Sequence, residues 1–155
     1  MLDTSFLAEL LTQYDFAYPL MELSERGIFT QKVTKILNTI IKNPDIGGRI
    51  VASSTAFVEL LNKFSVISNG RFDKNKVKNF LKQPPEWFIV EPLDIDTCKE
   101  YINIPKESIG NQKMELIDTF HIATAMQRGV GTYLATTDHK IWELNYKSLH
   151  IELIK

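Results

Sequence analysis

Four acids stand out by the company they keep: Asp3 in MLDTS, Glu59 in STAFVELL, Asp118 in IDTFHIATA and Asp138 in TTDHKI. Asp3 and Asp138 each follow a short apolar stretch, where a strand would give way to a helix. Glu59 lies one to two turns into the helical run behind RIVAS, and in mid-helix it caps nothing. Asp118 shares a helix face with Ile122, Ala125 and Gly129. An acid among apolar neighbours is costly to bury unless a partner meets it. Capping would account for Asp3 or Asp138 taken singly, and a lysine partner for Asp118. Taken together, the four suggest one cluster around divalent cations. Carboxylate oxygens are the ligands that Mg²⁺ and Mn²⁺ prefer, and bound cations relieve the repulsion between carboxylates held close. Such a site suits phosphodiester hydrolysis, in which one metal acidifies a water and a second stabilises the departing oxygen.

The elements that must position these acids follow from periodicity. Short apolar runs predict strands at Met1-Leu2, Arg49 to Ser53, Trp87 to Val90, Tyr133 to Thr136 and Leu149 to Leu153. Helical spacing predicts helices in SFLAELL, with Thr4 and Ser5 as caps, and over Val33 to Lys42, TAFVELLNKF and Asn75 to Lys82. Two further helices are expected: one over Asp94 to Ile102 behind an Asp94 cap, and one from Met114 to a stop at Gly129. Strands alternating with helices favour a parallel sheet with helices on both faces, whose ligands gather beyond the strands' carboxyl ends.

Bulk properties narrow the class. The 155 residues predict a single domain over 1–155, and a net charge of −1 exerts no global pull on nucleic acid or membrane. The lone Cys98 excludes an intrachain disulfide and fits a reducing, cytoplasmic setting. No apolar run suits a membrane span or a secretory signal. The charge is unevenly spread: Lys63, Arg71, Lys74, Lys76, Lys78 and Lys82 form a basic stretch, and the chain from Glu86 to Asp118 is mostly acidic. The basic stretch, above all Lys63, Arg71, Lys74 and Lys76, is the candidate for RNA phosphates. Phe64, Phe72 and Phe80 interleave with it and are expected to pack inward rather than stack on bases.

MLDTS, the Glu of STAFVELL, the IDTFHIATA helix and TTDHKI, in that order, resemble the PIN domain, and most closely its small VapC-type ribonucleases. The resemblance runs from Asp3 to the last strand. It implies a three-layer α/β/α sandwich with a central parallel sheet, and metal-binding, catalytic acids at Asp3, Glu59, Asp118 and Asp138. It also implies supporting hydroxyls from Thr4 or Ser5 and from Thr136 or Thr137. The implied activity is Mg²⁺- or Mn²⁺-dependent endonucleolytic cleavage of RNA, leaving 5′-phosphate and 3′-hydroxyl ends. Homodimers and an antitoxin that covers the site are the implied partners. The chain departs from the family in two places. Only two apolar residues precede Asp3, so the first strand is a stub or the start lies upstream of Met1. The stretch from Tyr18 to Gly48 is long, which implies a different dimer surface or a lid.

Other residues invite weaker readings. His121 is expected to bond locally within its helix, His139 to be exposed, and Glu115 to be a surface acid rather than an outer ligand. Asp15 and the acids between Glu86 and Glu107 read as solvated surface. A rival reading keeps the fold without the chemistry, as a catalytically inactive RNA-binding or regulatory module. A phospho-receiver domain would want an acidic pair after the first strand and an Asp after the third, and the sequence has neither.

Overall fold

A computed structural model describes residues 1–13, 31–42, 48–67, 74–104, 115–129, 131–136, 141 and 150–153. The fold is mixed α/β, and its described strands run parallel. The element order is α1 (Thr4–Gln13), α2 (Gln31–Lys42), β1 (Ile50–Ser53), α3 (Ser54–Ile67), α4 (Lys74–Lys82), β2 (Phe88–Glu91), α5 (Ile95–Asn103), α6 (Leu116–Arg128), β3 (Tyr133–Thr136) and β4 (His150–Leu153). Among the described residues, no helix is long and apolar enough to cross a membrane.

β1 pairs with β2, Ile50 opposite Phe88 and Ser53 opposite Glu91, and β3 pairs with β4, Tyr133 opposite His150 and Thr136 opposite Leu153. The two pairs meet at one residue. Leu2 forms a parallel bridge to Ala52 on one side and to Ala135 on the other. The Leu2 N–H donates to the Val51 carbonyl at 2.7 Å, and the Ala135 N–H donates to the Met1 carbonyl at 2.9 Å. The stub strand expected from the sequence is therefore the seam of the sheet. All four residues of β1 are buried, as a parallel strand covered on both faces should be.

Of the residues the sequence offers as caps of α1, Asp3 rather than Thr4 or Ser5 takes the position: its Oδ1 accepts the Phe6 N–H at 3.0 Å, and its carbonyl accepts the Leu7 N–H at 3.0 Å. A carboxylate one residue before the first turn reaches the third helical N–H, which neither Thr4 nor Ser5 can do from within the turn. α6 begins at Leu116, two residues later than its pattern suggests, because the backbone of Glu115 is extended (φ −68°, ψ 153°). Its end is as expected. Gly129 adopts φ 78°, a left-handed conformation that glycine takes without strain, and its N–H donates to Met126 O. Asp94 caps α5 as expected, accepting the Thr97 N–H at 2.8 Å.

The described residues hold two apolar clusters, and Leu2 belongs to the first. One gathers Phe6, Leu7 and Leu10 of α1 with β1, Phe57, Leu60, Val77, Phe80, Trp87 and Phe88. The other holds Ile104, Ile122, Ala123, Ala125, Leu134 and Ile141. Phe80 is fully enclosed in the first cluster, edge-on to Phe88 with ring centroids 4.8 Å apart. That arrangement turns it inward, as expected of Phe80; Phe72 and the side chain of Phe64 lie outside the described residues. Phe80→Ala should cost about 3–5 kcal/mol of stability. Urea unfolding with an unchanged m-value would measure it, and a loss below about 1 kcal/mol would mean that this ring cluster does not anchor α4.

Candidate active site

β1 ends in Ser53, and α3 starts at the next residue, so the sharp strand-to-helix turn carries the hydroxyls of RIVASST into the interior. Ser53 and Thr55 are both buried, with Ser53 Oγ 2.8 Å from Thr55 Oγ1. One turn further along α3, Glu59 faces inward, only 9% exposed. α1 brings Thr4 to it, and the Thr4 hydroxyl donates to Glu59 Oε2. α6 brings His121, 1% exposed, with Nε2 at 3.1 Å from Thr4 Oγ1 and 3.8 Å from Glu59 Oε2. The other ring nitrogen, Nδ1, lies 3.1 Å from Ser53 Oγ. Lys63, one turn beyond Glu59 on α3, pairs with Oε1 from the solvent side.

These contacts orient one another. The Thr4 proton is committed to Glu59, so Thr4 Oγ1 is an acceptor toward His121, and Nε2 must carry a proton. Ser53 Oγ already accepts the Ala56 N–H at 3.2 Å. Ser53 Oγ also lies within hydrogen-bond reach of His121 Nδ1 and of the Thr55 hydroxyl. A continuous chain of contacts thus runs Thr55, Ser53, His121, Thr4, Glu59. His121 is therefore not bonded within its own helix as expected, but ties α6 to the end of β1 and to α1.

The same contacts decide the charge. The Glu59 carboxyl is lowered from its ordinary 4.5 to about 2, first by the His121 ring beside it, whose Nε2 lies 3.8 Å from Oε2. Burial works in the opposite direction, and the hydrogen bonds from Lys63 and Thr4 add to the lowering. Lys63 is held protonated chiefly by Glu59, and the charges of Glu115 and Asp118 reinforce this. Asp118 is half-buried in the first turn of α6, where the positive end of the helix dipole favours an acid.

Asp3 is buried, 6% exposed, next to Thr4. Oδ1 is committed to the α1 cap. Thr136 is fully buried at the end of β3, and Ser5 points to solvent. Glu115 is exposed, as expected of a surface acid. Lys74 is exposed and Lys76 half-buried on α4. Asp138, Thr137, His139, Arg71 and Asp15 lie outside the described residues. Among the described residues, no three His, Cys, Asp or Glu side chains converge closely enough to hold a metal ion. Of the acids read as solvated surface between Glu86 and Glu107, Glu86, Asp94 and Asp96 are exposed, Asp96 pairing with Lys99 at 2.7 Å and Asp94 capping α5, whereas Glu91 is half-buried and pairs with Arg128.

Ser53 and Thr55 are the site residues that sequence reasoning missed. The signal was available in the hydroxyl run that closes the RIVAS strand. No protein-family model, no curated protein and no solved structure matches the chain.

The depressed Glu59 carboxyl predicts a pH signature. A group whose folded value lies below its unfolded one contributes stability above the unfolded value, and loses it as pH falls through the folded one. Glu59→Gln should therefore differ most from the native chain above pH 4.5 and converge with it as pH falls toward about 2. Thermal unfolding followed across that range measures this, and a constant offset would show that the carboxyl is not depressed.

Proposed function

We propose that this chain is a metal-dependent endoribonuclease of the PIN type, with the parallel strands as the central sheet of a three-layer α/β/α sandwich. The observation that carries the reading is Glu59, a buried carboxylate kept ionised beside the carboxyl ends of Leu2 and β1. Parallel sheets gather their ligands at such ends. An acid held anionic at this depth is what a hard cation needs.

The donor set fits a divalent cation. Asp3, Glu59, Asp118 and Asp138 offer hard oxygens, and Oδ2 of Asp3 makes no hydrogen bond among the described residues. A bound Mg²⁺ or Mn²⁺ supplies an acidified water for attack on phosphorus and a counter-charge for the departing oxygen. The chain's own side chains do the rest. Asp3 and Glu59 are oriented by α1 and by the Thr4 hydroxyl, and Asp118 stands at the start of α6. Thr136, the last residue of β3, or Thr137 is the supporting hydroxyl in this reading. Lys74, Lys78 and Lys82 are exposed at one-turn spacing on α4. With Lys76 they offer a surface for RNA phosphates, whose affinity is charge-driven and salt-dependent, and Arg71, outside the described residues, belongs to the same basic stretch of sequence. A homodimer and an antitoxin partner belong to the same reading.

One observation favours a second reading, an inactive PIN-like RNA-binding or regulatory module: among the described residues, no three His, Cys, Asp or Glu side chains form a group that could hold a metal ion. A single experiment separates the two. With Mn²⁺ and single-stranded RNA, the purified protein should cleave, and Asp118→Asn and Glu59→Gln should lower the rate by at least about 100-fold, the order expected when a metal-held catalytic group is lost. Retained near-ultraviolet circular dichroism would show that the variants fold. RNA binding without cleavage by the native chain would favour the second reading. Full cleavage by a folded Asp118→Asn, with contaminating nuclease excluded, would sink the first.

A further inference from the structure

His121 joins two places that the sheet has already set side by side. Leu2 is bridged to Ala52 in the parallel sense. Ser53 is the residue after Ala52, and Thr4 stands two residues after Leu2. From α6 the His121 ring reaches both: Nδ1 lies 3.1 Å from Ser53 Oγ, and Nε2 lies 3.1 Å from Thr4 Oγ1. The ring thus spans the carboxyl ends of two adjacent strands, at the edge of a parallel sheet where ligands gather. It is 1% exposed, so a ring nitrogen that lost its partner would be left unsatisfied in the interior.

The two ends of this strut are not equally firm. Ser53 is held by backbone, since β1 pairs with β2 along its length. Its Oγ also accepts the Ala56 N–H at 3.2 Å and lies 2.8 Å from Thr55 Oγ1. Thr4, by contrast, is a half-buried residue in the first turn of α1. A threonine hydroxyl near a helix start can rotate to other partners, including nearby backbone. Here it meets Glu59 Oε2 and His121 Nε2. On its outer side Glu59 has only the pair with Lys63, whose side chain is 53% exposed, and such a pair fixes a carboxylate weakly. The orientation of Glu59 is therefore decided from within, and the firm end of the inner chain is Ser53.

We propose that Ser53 is a positioning residue for Glu59, acting through the His121 ring, which spans the two strand ends and keeps the Thr4 hydroxyl on Oε2. The inference rests on the reading of Glu59 as a catalytic acid and names what aims it. Ser53 acts at one remove, by fixing the ring that fixes Thr4. His121 in turn serves as a strut between the end of β1 and the start of α1.

The test compares the native chain with Ser53→Ala and Ser53→Thr. Ser53→Ala also removes the α3 cap, so stability alone does not discriminate. The readouts are the Thr4 χ1 rotamer, from NMR side-chain couplings, and the carboxyl carbon signal of Glu59. Ser53→Ala should turn a single Thr4 rotamer into an averaged one and move the Glu59 signal. Ser53→Thr keeps the hydroxyl and should restore both, whereas loss of the α3 cap by itself does not reach the Thr4 rotamer. Ser53→Gly takes the place of Ser53→Ala if that variant does not fold, since glycine is accepted at helix caps. In cleavage of single-stranded RNA with Mn²⁺, Ser53→Ala should lower kcat roughly 10- to 100-fold and leave KM unchanged, the effect of a misaimed group. A single Thr4 rotamer and an unmoved Glu59 signal in a folded variant without the hydroxyl would overturn the inference, even if cleavage fell. Averaging of Thr4 in Ser53→Ala, in a protein whose native form cleaves no RNA, would support the positioning role and overturn the nuclease reading.

Discussion

A carboxylate buried as deeply as Glu59 stays charged only if donors reach it from within the protein, and this requirement organises the site. Thr4 comes from α1, His121 from α6 and Lys63 from α3 itself. Leaving a buried charge without its partners costs several kcal/mol, so the elements that carry the donors are held in register with one another. Ser53 extends the constraint to the end of β1 through His121. Three helices and a strand end therefore share one chain of hydrogen bonds, and the acid site and the packing of the helices over the strands are the same structure.

The seam at Leu2 performs the matching task for the sheet. A single residue paired on both sides joins β1 to β3, and the next residue, Asp3, turns the chain into α1 while capping it. The shortness of this strand has a consequence. With so few ladder bonds of its own, the segment is held by its neighbours, by the buried Leu2 side chain and by the cap. Thr4 reaches Glu59 because the chain turns immediately after the bridge, and a longer excursion before α1 would carry the hydroxyl past it.

Much of this was legible in the residues. Short apolar runs ended where strands end, because a parallel strand buried on both faces needs continuous hydrophobicity. Gly129 and Asp94 marked helix ends through local backbone chemistry, which depends on a few neighbouring residues only. Phe80 could be assigned to the core from the amphipathic spacing of its helix. The acids at Asp3, Glu59 and Asp118 could be singled out because charge amid apolar residues is conspicuous.

What escaped was whatever depends on residues far apart in sequence. Asp3 and Thr4 were both open as caps of α1, and where the Leu2 bridge ends decided between them. His121 read as a local helix residue, yet its partners are Thr4 and Ser53, which lie on elements remote from its own helix. The hydroxyls of Ser53 and Thr55 gained their role only when the end of β1 met α6. By itself the sequence determined the element order, the parallel α/β class and which residue types are available for chemistry, since these follow from periodicity and composition. The tertiary structure alone decided which oxygen of Glu59 meets Thr4 and which meets Lys63, because burial and hydrogen-bond partners are properties of the assembled helices.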